Sequence, residues 1–132
     1  MDEIDFLPDE LKSRSLSSKE IVLKFEDALL AIDTLIKANL AILGWEGWLK
    51  YADGRIGHSL IFQGTISIDR DKDEPWELYV LRSAEFCRNT IKQDQQIWDK
   101  KPEFPDATLY YCITAVTERS ISKTNKKNQK AV

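Results

Sequence analysis

Histidine occurs once in these 132 residues, at His58, and cysteine twice, at Cys87 and Cys112. One imidazole and two thiols cannot supply four zinc ligands without carboxylate help, so a structural zinc site is not expected. Both cysteines lie in apolar patterns on different predicted elements, which reads as reduced core thiols in a cytoplasmic protein. There is no GxSxG, P-loop or GxGxxG motif, and no cofactor is implied. His58 would need a hydroxyl or thiol partner to act as a base, and nothing in the spacing joins it to Cys87. No apolar run approaches the ~18 residues needed to span a membrane. The opening MDEIDFLPDE is acidic and has no cationic region followed by an apolar core, so no secretory signal is expected there.

What the chain does have is charge, unevenly spread. The net charge is −3, yet after Glu118 come five basic residues and no acid. Residues 1–118 therefore carry 14 Lys and Arg against 22 Asp and Glu, a balance of −8. An acidic body repels nucleic acid and favours basic partners. The basic end lacks interleaved aromatics and is expected to be a disordered tail over 119–132, not a nucleic-acid site.

The length suits one domain, here 17–118, preceded by an irregular arm over 1–16 with one helical turn opening at Pro8. Ser17 with Glu20 has capping-box spacing, and Leu16 with Ile21 that of a hydrophobic staple, so a helix is expected to start there. Ile21, Phe25, Ala28, Leu29, Ile32, Leu35 and Ile36 continue it along one buried face to about Ala38. Asn39 suits its left-handed cap. Later, Trp76, Tyr79, Val80, Ser83, Ala84, Cys87, Ile91 and Trp98 keep helical spacing behind Pro75, and Pro102 ends that helix near Lys100.

Between the helices lies LAILGWEGWLKY, residues 40–51. It could prolong the first helix to Leu43 with Gly44 as cap, but as a strand it pairs well with residues 56–68. Asp53-Gly54 suits a two-residue hairpin turn, which would set Tyr51 opposite Ile56, Leu49 opposite His58 and Trp45 opposite Phe62. Residues 56–68 alternate, with Leu60, Phe62, Ile66 and Ile68 on one side. That side would join Ala41, Leu43, Trp45 and Leu49 in the core and leave Glu46, Trp48 and Lys50 on the other face, unless Gly44 or Gly47 marks a bulge. Leu109 to Val116 reads as a last, paired strand. The expected fold is α+β in the order α-β-β-α-β. A small, mainly antiparallel sheet has two helices packed on one face, and the last strand lies beside the opening one.

Two constellations stand out. Asp69-Arg70-Asp71-Lys72-Asp73 resembles the start of a calcium loop but has Glu74 where glycine is needed and Val80 where the bidentate glutamate belongs, so a solvated acidic turn is expected. Glu46 between Trp45 and Trp48 reads either as a half-exposed strand acid beside packing tryptophans, or as an acidic and aromatic contact on an uncovered sheet face.

At FEDALLAIDTLIKANLAILGWEGWLKYADG, and later at EPWELYVLRSAEFCRNTI, the chain resembles a family of predicted immunity proteins from bacterial polymorphic toxin systems. Glu26-Asp27-Ala28-Leu29 and Ala31-Ile32-Asp33 match that family's first helix. Ile42-Leu43-Gly44 and Glu46 match its apolar strand with an acid, and Trp76, Val80, Ser83 and Ile91 match its later helix. The resemblance covers roughly residues 20–97; Trp45 departs from it, standing where a second small residue is expected. It implies an α+β protein, not an enzyme, that binds and neutralises a cognate toxin in the cytoplasm by stoichiometric contact. The acidic body would suit a basic toxin such as a nuclease. Glu46, Trp48, Asp69, Asp71 and Asp73 are the contact candidates. Two other functions remain open: a housekeeping adaptor or oligomeric scaffold, and a small hydrolase using His58 with Glu46 or Asp53.

Overall fold

The computed structural model describes residues 2–121. In chain order these form a 3-10 turn (Glu3–Phe6), α1 (Asp9–Arg14), β1 (Ile21–Leu23), α2 (Phe25–Lys37), β2 (Ala41–Tyr51), β3 (Ile56–His58), β4 (Thr65–Ile66), α3 (Trp76–Lys100) and β5 (Ala107–Val116). The fold is α+β with an open, antiparallel sheet in the order β1-β5-β2-β3, and β4 pairs β2 on the same flank as β3. The long strands β2 and β5 form the centre, as their apolar, β-branched and aromatic composition favours. Helices α2 and α3 cover one face. There Ile32, Leu35, Cys87 and Ile91 pack against Trp45, Leu49, Leu109, Tyr111 and Ile113.

The helix expected from Ser17 begins eight residues later. The Ser17 hydroxyl does accept from backbone N–H groups, those of Lys19 and Glu20, but the turn it closes leads into a strand. Ile21-Val22-Leu23 is fully buried on both sides, and its backbone is satisfied by Tyr111–Ile113 of β5 on one edge and, at Val22, by Ser15 and Leu16 on the other. A single helical turn would bury one face only. At the other end α2 stops as expected: Asn39 takes φ 65°, and Leu40 and Asn39 donate back to Leu35 and Ile36.

The arm expected to be irregular is ordered over residues 2–16. Pro8 does open a helix, α1, and Ile4, Leu7 and Leu11 enter the main core. Of the expected basic tail, residues 122–132 lie outside the described residues. Thr117 caps Ser120, and Ile121 packs against the cluster of Ala41, Trp76, Tyr79 and Val80.

The hairpin register differs by one residue from the expected one. The turn has three residues, Ala52-Asp53-Gly54, with Gly54 at φ 92° and Tyr51 bonded to Arg55. His58 therefore opposes Trp48, not Leu49. A bulge between Ile42 and Gly44 then shifts the phase of β2 so that Ile42, rather than Leu43, is fully buried against the helices.

The expected strand over 56–68 is broken. It pairs only at 56–58 and 65–66, and between them the chain leaves the ladder. Of the large side chains in between, only Phe62 turns inward, edge-on to Trp98. Leu60 and Ile66, expected in the core, are 76% and 83% exposed, and Ile61 is 68% exposed. The excursion crosses β2 so closely that a Cβ on Gly47 would strike the Phe62 carbonyl. Glu103 ties the outer end down. Its carboxylate accepts from the Ser59 hydroxyl at 2.6 Å and from the Leu60 and Ile61 N–H groups.

Candidate partner-binding face

Strand alternation places Glu46 and Trp48 on the sheet face away from α2 and α3. Glu46 lies opposite Cys112, and Trp48 lies between Tyr110 of β5 and His58 of β3. One side of Trp48 packs on a small cluster of Val22, Tyr110 and Cys112, which Leu16 also covers. Its indole N–H donates to Glu46 Oε1 at 3.2 Å, and the His58 ring stands edge-on to it at 5.1 Å. Trp48 is thus half-buried, while Glu46 is exposed. His58 meets an indole rather than a group it could activate.

Beside Glu46 the face opens into a shallow concavity of about 530 Å³. Leu43, Glu46 and Ile66 line it with Gln63, Cys112 and Thr114. Gln63, which lines it, donates to the Leu60 carbonyl. Burial first, then the charges of Glu20, Glu46 and Glu3, push the Cys112 thiol up to about 12. The thiol is therefore neutral, and Glu46 lies across the strand pair from it. Burial raises the Glu3 carboxyl above its ordinary value, and Asp2 and Glu20 add to this.

Eight of the acids are answered by arginines. Arg14 pairs with Glu10 and Asp27, Arg55 with Asp53, Arg70 with Glu118, Arg82 with Glu74 and Asp71, and Arg88 with Asp33 and Glu85. Among the described residues Glu3, Glu20 and Glu46 form no ion pair. The Glu46 carboxylate at the concavity therefore has no ion-pair partner among the described residues.

The acidic loop is a separate feature. Asp69, Asp71 and Asp73 are exposed, as expected, but their loop packs through Ile68 against Ala41, Trp76 and Tyr79. Five residues of extended strand, about 16 Å, separate Ala41 from Glu46. Asp71 is engaged by Arg82 at 3.4 Å, and Arg82 also donates to the Asp69 carbonyl. The structure therefore joins Glu46 to Trp48 and does not join either to the aspartates. Sequence reasoning missed Glu3 and Glu20 near Cys112 and Ile66 in the concavity. Gly64 inside an alternating run was the available signal, since glycine there marks a bulge or a close backbone approach.

Arg82 also sets a pH dependence. Its two hydrogen bonds to Glu74, at 2.6 and 2.7 Å, hold that carboxyl down to about 2. The folded pKa lies below the unfolded value, so the pair's contribution is complete above about pH 4.5 and is lost as pH falls toward about 2. Urea midpoints measured from about pH 6 to about pH 2 should fall more for the wild type than for Glu74→Gln. Parallel curves would mean the pair adds nothing to stability.

No family model, curated protein or solved structure matches this chain.

Proposed function

We propose that the protein is an immunity protein that binds and neutralises a cognate bacterial toxin, and that the sheet face bearing Glu46 and Trp48 makes the contact. One observation carries this reading: the face away from the helices has an open concavity lined by Glu46, which forms no ion pair, and by the exposed Ile66, beside the half-buried Trp48. Interfaces that bind tightly use aromatic and aliphatic anchors with a few charges. The acidic body would speed encounter with a basic partner, a nuclease being the obvious class. The resemblance to predicted immunity proteins, built on the strand that carries Glu46, points the same way.

No helix among the described residues is long and apolar enough to cross a membrane. A cytoplasmic location belongs to the proposal, because a toxin made in the same cell has to be met there. The test is co-expression with the toxin encoded beside this gene. Viable cells are expected when both are made, with a one-to-one complex on size-exclusion chromatography. Death of cells that hold abundant folded protein would refute the reading. The exposed aliphatics would equally serve a self-associating scaffold, so the isolated protein should elute as a monomer; a stable oligomer favours the scaffold.

A further inference from the structure

The two flanks of the sheet are unequal. On the β1 side the outer edge is closed: Ser15 Oγ accepts from the Val22 N–H at 2.9 Å, and the Leu16 N–H donates to the Val22 carbonyl at 3.0 Å. A partner strand cannot add there without displacing both bonds. On the other flank β3 and β4 are short and interrupted, which is a poor template for a strand. Recognition through backbone pairing is therefore disfavoured on both flanks, and what remains is the face.

On that face the concavity beside Glu46 has a definite chemistry. Its walls are the aliphatic side chains of Leu43 and Ile66, its floor includes the neutral Cys112 thiol, and Glu46 is its one charged lining residue. Glu20 and Glu3 add negative charge near Cys112, and none of the three carboxylates forms an ion pair among the described residues. A long aliphatic stem ending in a cation complements such a site: the stem lies along apolar walls while the head reaches the carboxylate. The chain leading into Gln63 is held in shape. Glu103 fixes the backbone of Leu60 and Ile61, the Ser59 hydroxyl accepts from the Phe62 N–H at 2.7 Å, and Phe62 is wedged against Trp98. A wall that is already ordered loses little entropy on binding.

We infer that the concavity takes a lysine or arginine side chain from a protein partner, with Glu46 accepting from its cationic head and Leu43 and Ile66 flanking its stem. This deepens the function proposed above and rests on it for the identity of the partner; the site itself can be tested without the toxin. The probe is a blocked pentapeptide of alternating leucine and lysine, titrated into the ¹⁵N-labelled full-length protein. The control is the same peptide with glutamate in place of lysine.

The lysine peptide should shift the amides of Leu43, Glu46, Ile66 and Thr114, and the glutamate peptide should not. Glu46→Gln, which keeps size and shape, should weaken the lysine peptide about tenfold or more, as loss of a charge-assisted hydrogen bond does. Ile66→Ser should weaken it as well, whereas Leu78→Ser, at an exposed leucine on α3, should not. Equal shifts from both peptides, shifts centred elsewhere, or an unchanged affinity in Glu46→Gln would overturn the inference. So would concentration-dependent dimerisation of the free protein that Ile66→Ser abolishes, because a second copy would then be the occupant.

The two failures can be told apart. Wild type that protects cells while Glu46→Lys protects equally well leaves the immunity function standing and removes this site. Wild type that binds the lysine peptide as described but never protects removes the immunity function alone.

Discussion

Gly64→Ala should lower the melting temperature by roughly 10 °C, the shift expected for a loss of about 2–4 kcal/mol in a domain of this size. Two effects add. The backbone at Gly64 has φ 93°, a conformation that costs a residue with a side chain about 1–2 kcal/mol. A Cβ there would also run into the Trp45 carbonyl and lie 2.6 Å from the Glu46 Cα. Both neighbours are backbone of the central strand, so neither can rotate aside. The contrast is Gly54→Ala, where φ is 92° but nothing lies within 4 Å of the added carbon. That variant should lose only the conformational part. Thermal unfolding of the two variants side by side separates the terms, and equal shifts would mean that the close crossing is relaxed in solution. Because Gly64 lines the concavity, Gly64→Ala should also weaken binding of the proposed partner in whatever fraction remains folded.

The excursion that Gly64 makes possible is also where reading from sequence ran out. The helices were legible because each announces itself locally. Every residue expected on the buried face of α3 is buried, and Asn39 takes the left-handed cap its side chain tolerates. The central strand and its partner β5 were legible from apolar runs with β-branched and aromatic residues. What failed depended on contacts distant in sequence. Ser17 and Glu20 carry a helix-start pattern, but pairing with β5 makes the next three residues a strand. Residues 56–68 alternate like one continuous strand, yet Glu103, more than 40 residues on, pulls their middle off the ladder. The alternation was real but did not report one face, since Phe62 and Ile68 reach core clusters while Leu60 and Ile66 end in water. Of the proposed site, Glu46 and Trp48 were visible because an acid and an aromatic interrupt an apolar strand. Glu3 and Glu20 were not, because only the packing of residues 2–20 against β5 brings their charge to Cys112.

Trp45 stands between Gly44 and Glu46, where small residues would leave β2 simpler, and the structure puts it at the centre of the packing. The bulge at Leu43 sets the phase that turns Trp45 toward the helices while Glu46 turns away. Its ring meets Tyr111 edge-on at 5.0 Å, and its indole N–H donates to Thr90 Oγ1 of α3 at 2.8 Å. Tyr111 in turn donates to Gln95 on the same helix at 2.8 Å and lies beside Phe25 of α2. Through this pair of rings the central strands join both covering helices. Trp45→Ala should cost roughly 3–5 kcal/mol, as deleting a buried indole does, which is a large part of the ~5–15 kcal/mol that holds such a domain together. Trp45→Phe keeps most of the ring contact with Tyr111 and loses the hydrogen bond. Thr90 Oγ1 still donates to the Cys87 carbonyl, so no buried donor is stranded, and the loss should be only ~1 kcal/mol from the bond plus a smaller packing defect. Urea midpoints for the two variants test this order. If Phe is as damaging as Ala, the bond to Thr90 rather than the packing holds α3 on the sheet. Trp45→Phe should also leave the partner face intact, because Glu46 and Trp48 are set by strand alternation and not by what fills the core behind them. A variant that unfolds at lower urea yet still binds would separate the two faces of the same strand.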